Sequence, residues 1–134
     1  MTTIFTDSIE GRRSGHMIYE DEKHGAIVDK YPIDVGHTLL ITRHPYEKIT
    51  DMKKKDVSEL FSLVPEIASA IMKATGAVAF SIAQNNGRAA KQIIPHVHVH
   101  IIPRYANKAT LWTKRGIPTD NELTDLSEKI RTCF

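Results

Sequence analysis

The chain has 134 residues, enough for one hydrophobic core, so we expect a single domain over residues 1–134 rather than a multidomain enzyme. Its 41% hydrophobic and 25% charged residues are typical of globular proteins and exclude a disordered or collagen-like chain. Lysines and arginines number 18 against 16 acidic residues, and the net charge of +2 is too small to hold a nucleic-acid backbone. Any anion must therefore be bound locally.

Cysteine content and hydropathy bear on the cellular compartment. Cys133 has no partner cysteine in the chain, which is typical of a reducing environment. No apolar run approaches the roughly 18 residues of a membrane span, and the first residues lack a basic segment followed by an apolar stretch. We therefore expect a cytoplasmic protein without a membrane partner.

The first half of the chain predicts strands and then a helix. Short β-branched and apolar runs at 17–20, 26–28 and 38–42 indicate an antiparallel meander. A long helix is then predicted up to Gly76, and Pro65 on its polar face indicates a bend or a join. Its apolar stripe recurs at three- and four-residue steps and comprises Val57, Leu60, Phe61, Val64, Ile67, Ala68, Ile71 and Met72.

The second half predicts two more strands and a shorter helix. Residues 78–83 and 94–102 are rich in β-branched and apolar side chains, and Asn85-Asn86-Gly87 between them indicates a turn. Thr119 and Glu122 form a capping-box pattern before a short amphipathic C-terminal helix.

Histidines are concentrated in the predicted strand at 94–102. His96, His98 and His100 alternate with aliphatic residues, and they are three of the seven histidines in the chain. Because alternate side chains of a strand point to the same face, we expect all three imidazoles to share one face.

This row of imidazoles allows two interpretations. Zinc ligands lie about 2.0–2.1 Å from the ion, whereas the outer two of three alternate strand residues lie roughly 13 Å apart. The three histidines cannot share one ion, although two of them could with a third ligand such as His37 or His16. A phosphate site fits the spacing better, because a middle imidazole can attack phosphorus while its neighbours hydrogen-bond the oxygens. Gln84 to Gly87 and Lys91-Gln92 supply amides and one cation nearby.

The segment from His96 to Arg104 matches the histidine-triad pattern, His-x-His-x-His followed by two apolar residues. The chain resembles the HIT (histidine triad) superfamily, in particular its Hint-like branch, over about residues 3–105, and the tail at 106–134 lies outside the resemblance. We expect Trp112 of this tail to pack against its own chain, the alternative being a contact with the substrate or across a dimer. Further matching blocks are Thr3-Ile4-Phe5, Ile18 to Asp21, Val28-Asp29, Gly36 to Leu39, Gln84 to Gly87, and Gln92.

The resemblance implies a fold and a reaction. The expected fold is α+β, a five-stranded antiparallel sheet with one long helix and a short C-terminal helix, continued to ten strands in a homodimer. The expected activity is hydrolysis or nucleotidyl transfer at the α-phosphate of purine nucleoside conjugates, either phosphoramidates or dinucleotide polyphosphates. No cofactor and no metal are expected. The alternative is a nucleotide-binding or scaffold module with weak or no catalysis.

Site residues follow from the same resemblance. His98 would be the nucleophile that becomes nucleotidylated, with a backbone carbonyl fixing its tautomer, while His96 and His100 orient the phosphate and His37 supports the triad. The nucleotide would be held by Asp29 at the ribose hydroxyls, Asn85 and Gln92 at the phosphate, and Ile4, Phe5, Ile27 and Val28 at the base. The apolar residues cannot read a purine edge, so we expect AMP and GMP to bind with less than about tenfold discrimination.

The sequence departs from the family pattern at three places. Thr3 and Thr6 stand where many relatives carry zinc-binding cysteines, so no structural zinc is expected. Ile93 stands where relatives have a serine or threonine, and without a hydroxyl it cannot assist the departure of a poor leaving group such as an amine. Lys91 replaces a glycine and either reaches the phosphate or faces solvent.

Overall fold

The fold is built on one five-stranded antiparallel sheet, which confirms the predicted α+β class. The computed structural model describes residues 16–134. The strands follow the order β1-β2-β3-β5-β4 in space. They are β1 (Met17–Glu20), β2 (His24–Val28), β3 (Thr38–Thr42), β4 (Ala79–Ala83) and β5 (His98–Arg104).

Two helices replace the single long helix that the apolar stripe predicts. Leu63 ends the first helix and also caps the start of the second. Pro65 lies in the first turn of the second helix, where a backbone N–H has no partner within the helix, so the join is the correct alternative. The helices are α1 (Lys54–Ser62), α2 (Val64–Thr75) and α3 (Asp120–Arg131), with short 3-10 turns at Ile49–Asp51 and Arg88–Ala90.

Local signals in the sequence correctly predict how two of the helices begin and end. Helix α2 stops at Gly76, which adopts φ 76° and donates its N–H to the Met72 carbonyl at 2.9 Å. Helix α3 starts with the predicted capping box, in which Glu122 N–H reaches Thr119 Oγ1 at 3.1 Å and Thr119 N–H reaches Glu122 Oε1 at 2.9 Å. Within residues 16–134, no helix has the length and apolar character needed to cross a membrane.

The two faces of the sheet have different roles. One face packs against the helices through the main hydrophobic core, to which Leu40, Val99 and Ile101 contribute. The opposite face carries a smaller apolar cluster of Ile27, Leu39 and Ile41. In the β3–β5 register Leu39 lies opposite His100 and Ile41 opposite His98, so this second face is the histidine face.

The loop between β2 and β3 (residues 29–37, the β2–β3 loop) is held close to the rest of the domain at Gly36. This residue has φ +92°, and a Cβ atom there would lie 3.1 Å from the Pro103 side chain and 3.2 Å from those of Ile71 and Thr75. Only glycine fits this backbone conformation and this space. The loop therefore meets β5 and α2 at a fixed distance just before His37.

Candidate active site

The strand that carries the histidines begins later than predicted. Pro95 has no backbone N–H, and the N–H of His96 bonds to the Ile94 carbonyl at 2.8 Å in a local turn. Val97 donates to the Tyr46 carbonyl rather than to β3. The expectation that three imidazoles share one strand face is therefore wrong for His96, which precedes the strand, and only His98 and His100 lie on β5.

His98 is held in one tautomer by the backbone. Its Nδ1 lies 2.7 Å from the carbonyl oxygen of His96, and because a carbonyl only accepts hydrogen bonds, Nδ1 carries the proton. The lone pair of the neutral ring is then on Nε2. Burial lowers the pKa of His98, so the ring is neutral near pH 7.

His37 and His100 form a chain of hydrogen bonds with fixed direction. The backbone N–H of Ile33 donates to His37 Nδ1 at 3.0 Å, so the ring proton of His37 is on Nε2. This Nε2–H donates to His100 Nδ1 at 2.9 Å, which leaves the ring proton of His100 on Nε2. Burial, together with the neighbouring charges, lowers the pKa of His37 to about 3 and that of His100 to about 4.

His96 joins the start of β5 to the end of β3. Its Nε2–H donates to the Thr42 carbonyl at 2.6 Å, and its side chain is completely buried. Burial lowers its pKa as well. The carbonyl of His96 orients His98, so the bond from His96 to the Thr42 carbonyl fixes the position of the predicted nucleophile. His37, which donates to His100, fixes the position of that second ring.

Asp29 lies beside the histidines at the start of the β2–β3 loop. Its Oδ1 accepts the backbone N–H of Tyr31 at 2.9 Å, and its Oδ2 lies 3.7 Å from His37 Nε2. Burial raises the pKa of Asp29. The carboxylate is thus fixed in orientation at the edge of the site, where the ribose is predicted.

A metal ion is the other ligand that this corner could attract. Ligand atoms of Asp29, His37 and His100 all lie within 4.8 Å of one another. A histidine nitrogen that binds zinc must offer a lone pair, but the Ile33 N–H already occupies Nδ1 of His37 and leaves the proton on Nε2. The tautomer of His37 therefore argues against a metal at this cluster.

The residues predicted to surround the base are separated by the sheet. Ile27 lies in the apolar cluster of the histidine face. Val28 belongs to the core on the helical face, because successive strand residues point in opposite directions. Val28 also lines a cavity beside Asp29, so a contact of Ile27 or Val28 with the base stays a prediction. Ile4 and Phe5, like Thr3 and Thr6, lie outside the described residues.

Gln92 has a structural role that the sequence did not suggest. It is 4% exposed, its Oε1 accepts the Gly87 N–H at 2.7 Å, and its Nε2 donates to the Glu47 carbonyl at 2.6 Å. These bonds hold the segment before the histidines against the loop that follows β3. Asn85 is half-buried in the same segment. A phosphate contact from either amide stays a prediction.

Lys91 and Ile93, the departures from the family pattern that fall within the described residues, are both exposed. Lys91 adopts φ 66°, a left-handed conformation that explains why glycine is usual at this position. Its side chain is exposed, as in the solvent-facing alternative. Ile93 is 80% exposed although it is apolar.

Sequence reasoning missed the contribution of the segment after β5 (residues 105–118, the tail segment). Trp112 packs on its own chain as predicted, with its ring 4.7 Å from the Arg104 guanidinium, although it is 58% exposed. Lys114 lies over the Tyr31 ring at 4.9 Å, next to Asp29. Lys114 is a single basic residue outside any motif, so the sequence gave no signal that could have identified it.

Comparison with known proteins gives consistent results. The profile of the HIT domain matches residues 10–107. Adenylylsulfatase HINT3 of Arabidopsis thaliana is 35% identical over 133 residues, which cover 96% of this chain and 67% of that protein. An asymmetrical bis(5′-nucleosyl)-tetraphosphatase of Schizosaccharomyces pombe is 35% identical over 66% of this chain and 48% of that protein. The crystal structure of a hypothetical histidine triad nucleotide-binding protein from Sulfolobus tokodaii superposes with a TM-score of 0.88 at 32% identity, covering 96% of this chain and 89% of that one.

Proposed function

Because the chain belongs to the HIT domain family, we propose that it hydrolyses the α-phosphate bond of purine nucleoside conjugates through a nucleotidyl-His98 intermediate. The single observation that carries this proposal is the 2.7 Å contact between His98 Nδ1 and the His96 carbonyl. A neutral imidazole whose Nδ1–H is engaged in this way presents Nε2 as a nucleophile without a separate base.

The proposed reaction has two steps. In the first, the Nε2 lone pair of His98 forms a bond to the α-phosphorus, and the bond from phosphorus to the leaving group breaks with its electron pair on that group. In the second, water attacks the phosphorus and the bond to Nε2 breaks with its electron pair on Nε2, which restores neutral His98. One proton of the water is released to solvent, and its oxygen stays on the nucleoside monophosphate. His100 is placed to donate its Nε2–H to a phosphate oxygen, because His37 occupies its Nδ1.

The leaving group follows from Ile93 and from the relatives. An amine must be protonated as it departs, and Ile93 offers no hydroxyl for that transfer. Sulfate and nucleotide phosphate are better leaving groups that depart without such help. The similar proteins include an adenylylsulfatase and a tetraphosphatase, which supports an acidic leaving group here.

Asp29 and Ile27 support the nucleoside assignment. The Asp29 carboxylate, fixed by the Tyr31 N–H, can accept hydrogen bonds from ribose hydroxyls. Ile27 offers an apolar surface on the histidine face without a donor or acceptor. We therefore propose purine mononucleotides as products, with less than about tenfold preference between AMP and GMP.

The decisive experiment is His98→Asn with His44→Asn as the matched control, because His44 is exposed and stacks on Tyr46. Turnover is measured on adenosine 5′-phosphosulfate, a diadenosine polyphosphate and an adenosine phosphoramidate. His98→Asn should lower every measurable rate by at least about a thousandfold while AMP still binds, and His44→Asn should change little. A His98→Asn enzyme with wild-type rates would contradict the covalent mechanism.

The same assays separate the enzyme from a module that only binds nucleotides. If wild-type protein binds AMP but releases no product from any of the three substrates, the binding module is the correct alternative. Product release that depends on His98 supports the enzyme.

The open edge of strand β4 supports a second copy of the chain as a partner. Strand β4 pairs with β5 on one side only within the described residues, and it exposes Phe80 at 40% and Ile82 at 47%. An apolar sheet edge left open promotes uncontrolled pairing. We propose a homodimer through this edge, with Ile82→Lys shifting sedimentation to the monomer while Ile117→Lys, an exposed residue of the tail segment, does not.

A further inference from the structure

The tail segment is fixed against the loop that carries Asp29 and His37. The Arg115 N–H donates to the Pro32 carbonyl at 3.2 Å, and the Arg115 guanidinium lies 2.9 Å from Asp34, which is 2% exposed. Arg104 also holds the segment by donating to the Leu111 carbonyl at 2.6 Å. The backbone around Lys114 therefore has a defined position beside the β2–β3 loop.

These anchors place Lys114 at the Asp29 end of the site. Its Nζ lies 4.9 Å from the centre of the Tyr31 ring, and the N–H of that same residue bonds to Asp29. Among the described residues Lys114 has no carboxylate partner. Its ammonium rests on an aromatic face, a weaker partner for a cation than a phosphate would be.

The histidines cannot supply the positive charge that would neutralise a nucleotide phosphate. Burial lowers the pKa of His98 and of His100, so both rings are neutral at pH 7, and Asp29 adds a negative charge. The charge of Lys114 reaches this cluster, since it lowers the pKa of Asp29 and of His100. Arg104, another cation whose charge reaches His37, donates to Ser81 and to the Leu111 carbonyl and lies 3.8 Å from Asp34, although its buried Nη2 has no hydrogen-bond partner among the described residues.

We propose that Lys114 is a substrate-binding residue, whose ammonium pairs with the 5′-phosphate of the nucleotide held by the histidines. This inference rests on the proposed function, because it assumes that a nucleotide occupies the site. It assigns the cation that the neutral histidines lack to Lys114, a residue that lies beyond the family match at residues 10–107.

Adenosine and AMP distinguish this role from a structural one. Both ligands contain the base and the ribose, and only AMP contains the phosphate. A residue that pairs with the phosphate affects AMP alone, whereas a residue that shapes the pocket affects both. The attraction is also screened by salt, so its loss should reduce the salt dependence of AMP binding.

The experiment measures AMP and adenosine binding by calorimetry in Lys114→Met, Lys114→Arg and the control Lys30→Met. Lys30 is exposed and directly follows Asp29 in the chain. Lys114→Met should raise the Kd for AMP about tenfold, leave adenosine unchanged and reduce the salt dependence. Lys114→Arg should restore most of the affinity, and Lys30→Met should resemble the wild type.

Two results would overturn the inference: an unchanged Kd for AMP in Lys114→Met, or parallel losses for AMP and adenosine. Failure of the nucleotide assignment looks different, because the wild-type protein would then bind neither ligand. Failure of the proposed hydrolysis is seen in the turnover assays instead, as a wild-type protein that binds AMP but releases no product, and the Lys114 measurements would still apply to it. Equal effects of Lys30→Met and Lys114→Met would show a general effect of net charge and would also overturn the assignment.

Discussion

His37 and His100 are joined by a 2.9 Å hydrogen bond although 63 residues separate them in the chain. The bond has a fixed direction, because the Ile33 N–H determines which nitrogen of His37 carries the proton. One backbone amide in the β2–β3 loop therefore sets the tautomer of a histidine in the neighbouring strand. Protonation of either ring would disrupt this arrangement.

Stability should consequently fall on acidification below pH 6.5. The unfolded histidines take up protons near their ordinary pKa of 6.5, while the folded pKa values of His37 and His100 are about 3 and about 4. The unfolded state thus binds more protons between pH 6.5 and 4. Each of the two histidines therefore lowers the free energy of unfolding by up to about 1.4 kcal/mol for each pH unit in this range. Urea unfolding at pH 7, 6 and 5 should show a shallower decline for His37→Asn than for wild type. Equal slopes would contradict the buried neutral pair, and His44→Asn should keep the wild-type slope.

Removal of divalent metals should leave turnover unchanged. His37 offers a proton rather than a lone pair at Nε2, so the Asp29, His37 and His100 cluster is a poor zinc site. Rates before and after dialysis against excess chelator, with metal analysis of the purified protein, test this expectation. Stoichiometric zinc whose removal abolishes turnover would establish a metalloenzyme instead.

Lys91→Gly should stabilise the fold. A side chain at φ 66° is strained by about 1–2 kcal/mol, and glycine relieves this strain at a smaller entropic cost in the unfolded state. We expect a net gain of about 0.5–1 kcal/mol in the free energy of unfolding. Lys91→Ala is the matched control, because it removes the same charge but keeps Cβ. A gain of the same size for Lys91→Ala would show that charge, rather than backbone strain, is responsible.

Ile93→Ser should broaden the range of leaving groups. Serine supplies a hydroxyl that can assist the departure of an amine, and replacing a side chain that is 80% exposed should cost little stability. Hydrolysis of an adenosine phosphoramidate should rise about tenfold relative to that of adenosine 5′-phosphosulfate. Ile93→Val should leave this ratio unchanged. A serine variant with the wild-type ratio would indicate that position 93 does not contact the leaving group.

Local sequence signals predicted where helices begin and end more accurately than they predicted the first residue of the histidine strand. Pro65 and the Thr119 capping box each act within a few residues and have the expected effect, whereas the apolar stripe predicted one helix where the structure has two. The predicted strand from 94 began four residues early, because His96 takes part in a turn with Ile94 and bonds to Thr42 across the sheet. The alternation of histidines with aliphatic residues cannot by itself distinguish a strand from such a turn.

The contacts that complete the site depend on the three-dimensional register. His37 meets His100 because Leu39 of β3 lies opposite His100 in β5, a pairing between distant segments that no short pattern specifies. Family resemblance suggested His37 as a supporting residue but did not predict the direction of its hydrogen bonds. Lys114 was missed because the tail segment has neither a motif nor regular secondary structure.

The tight space around Gly36 has a consequence for genetic screens of this protein. A Cβ at this position would press on Pro103 and Ile71, so alanine there should displace the neighbouring His37. A survey of loss-of-function variants would then recover position 36 as often as positions that touch the nucleotide, although glycine has no side chain with which to bind it. Inactivating substitutions would therefore identify residues that position the histidines as well as residues that line the pocket.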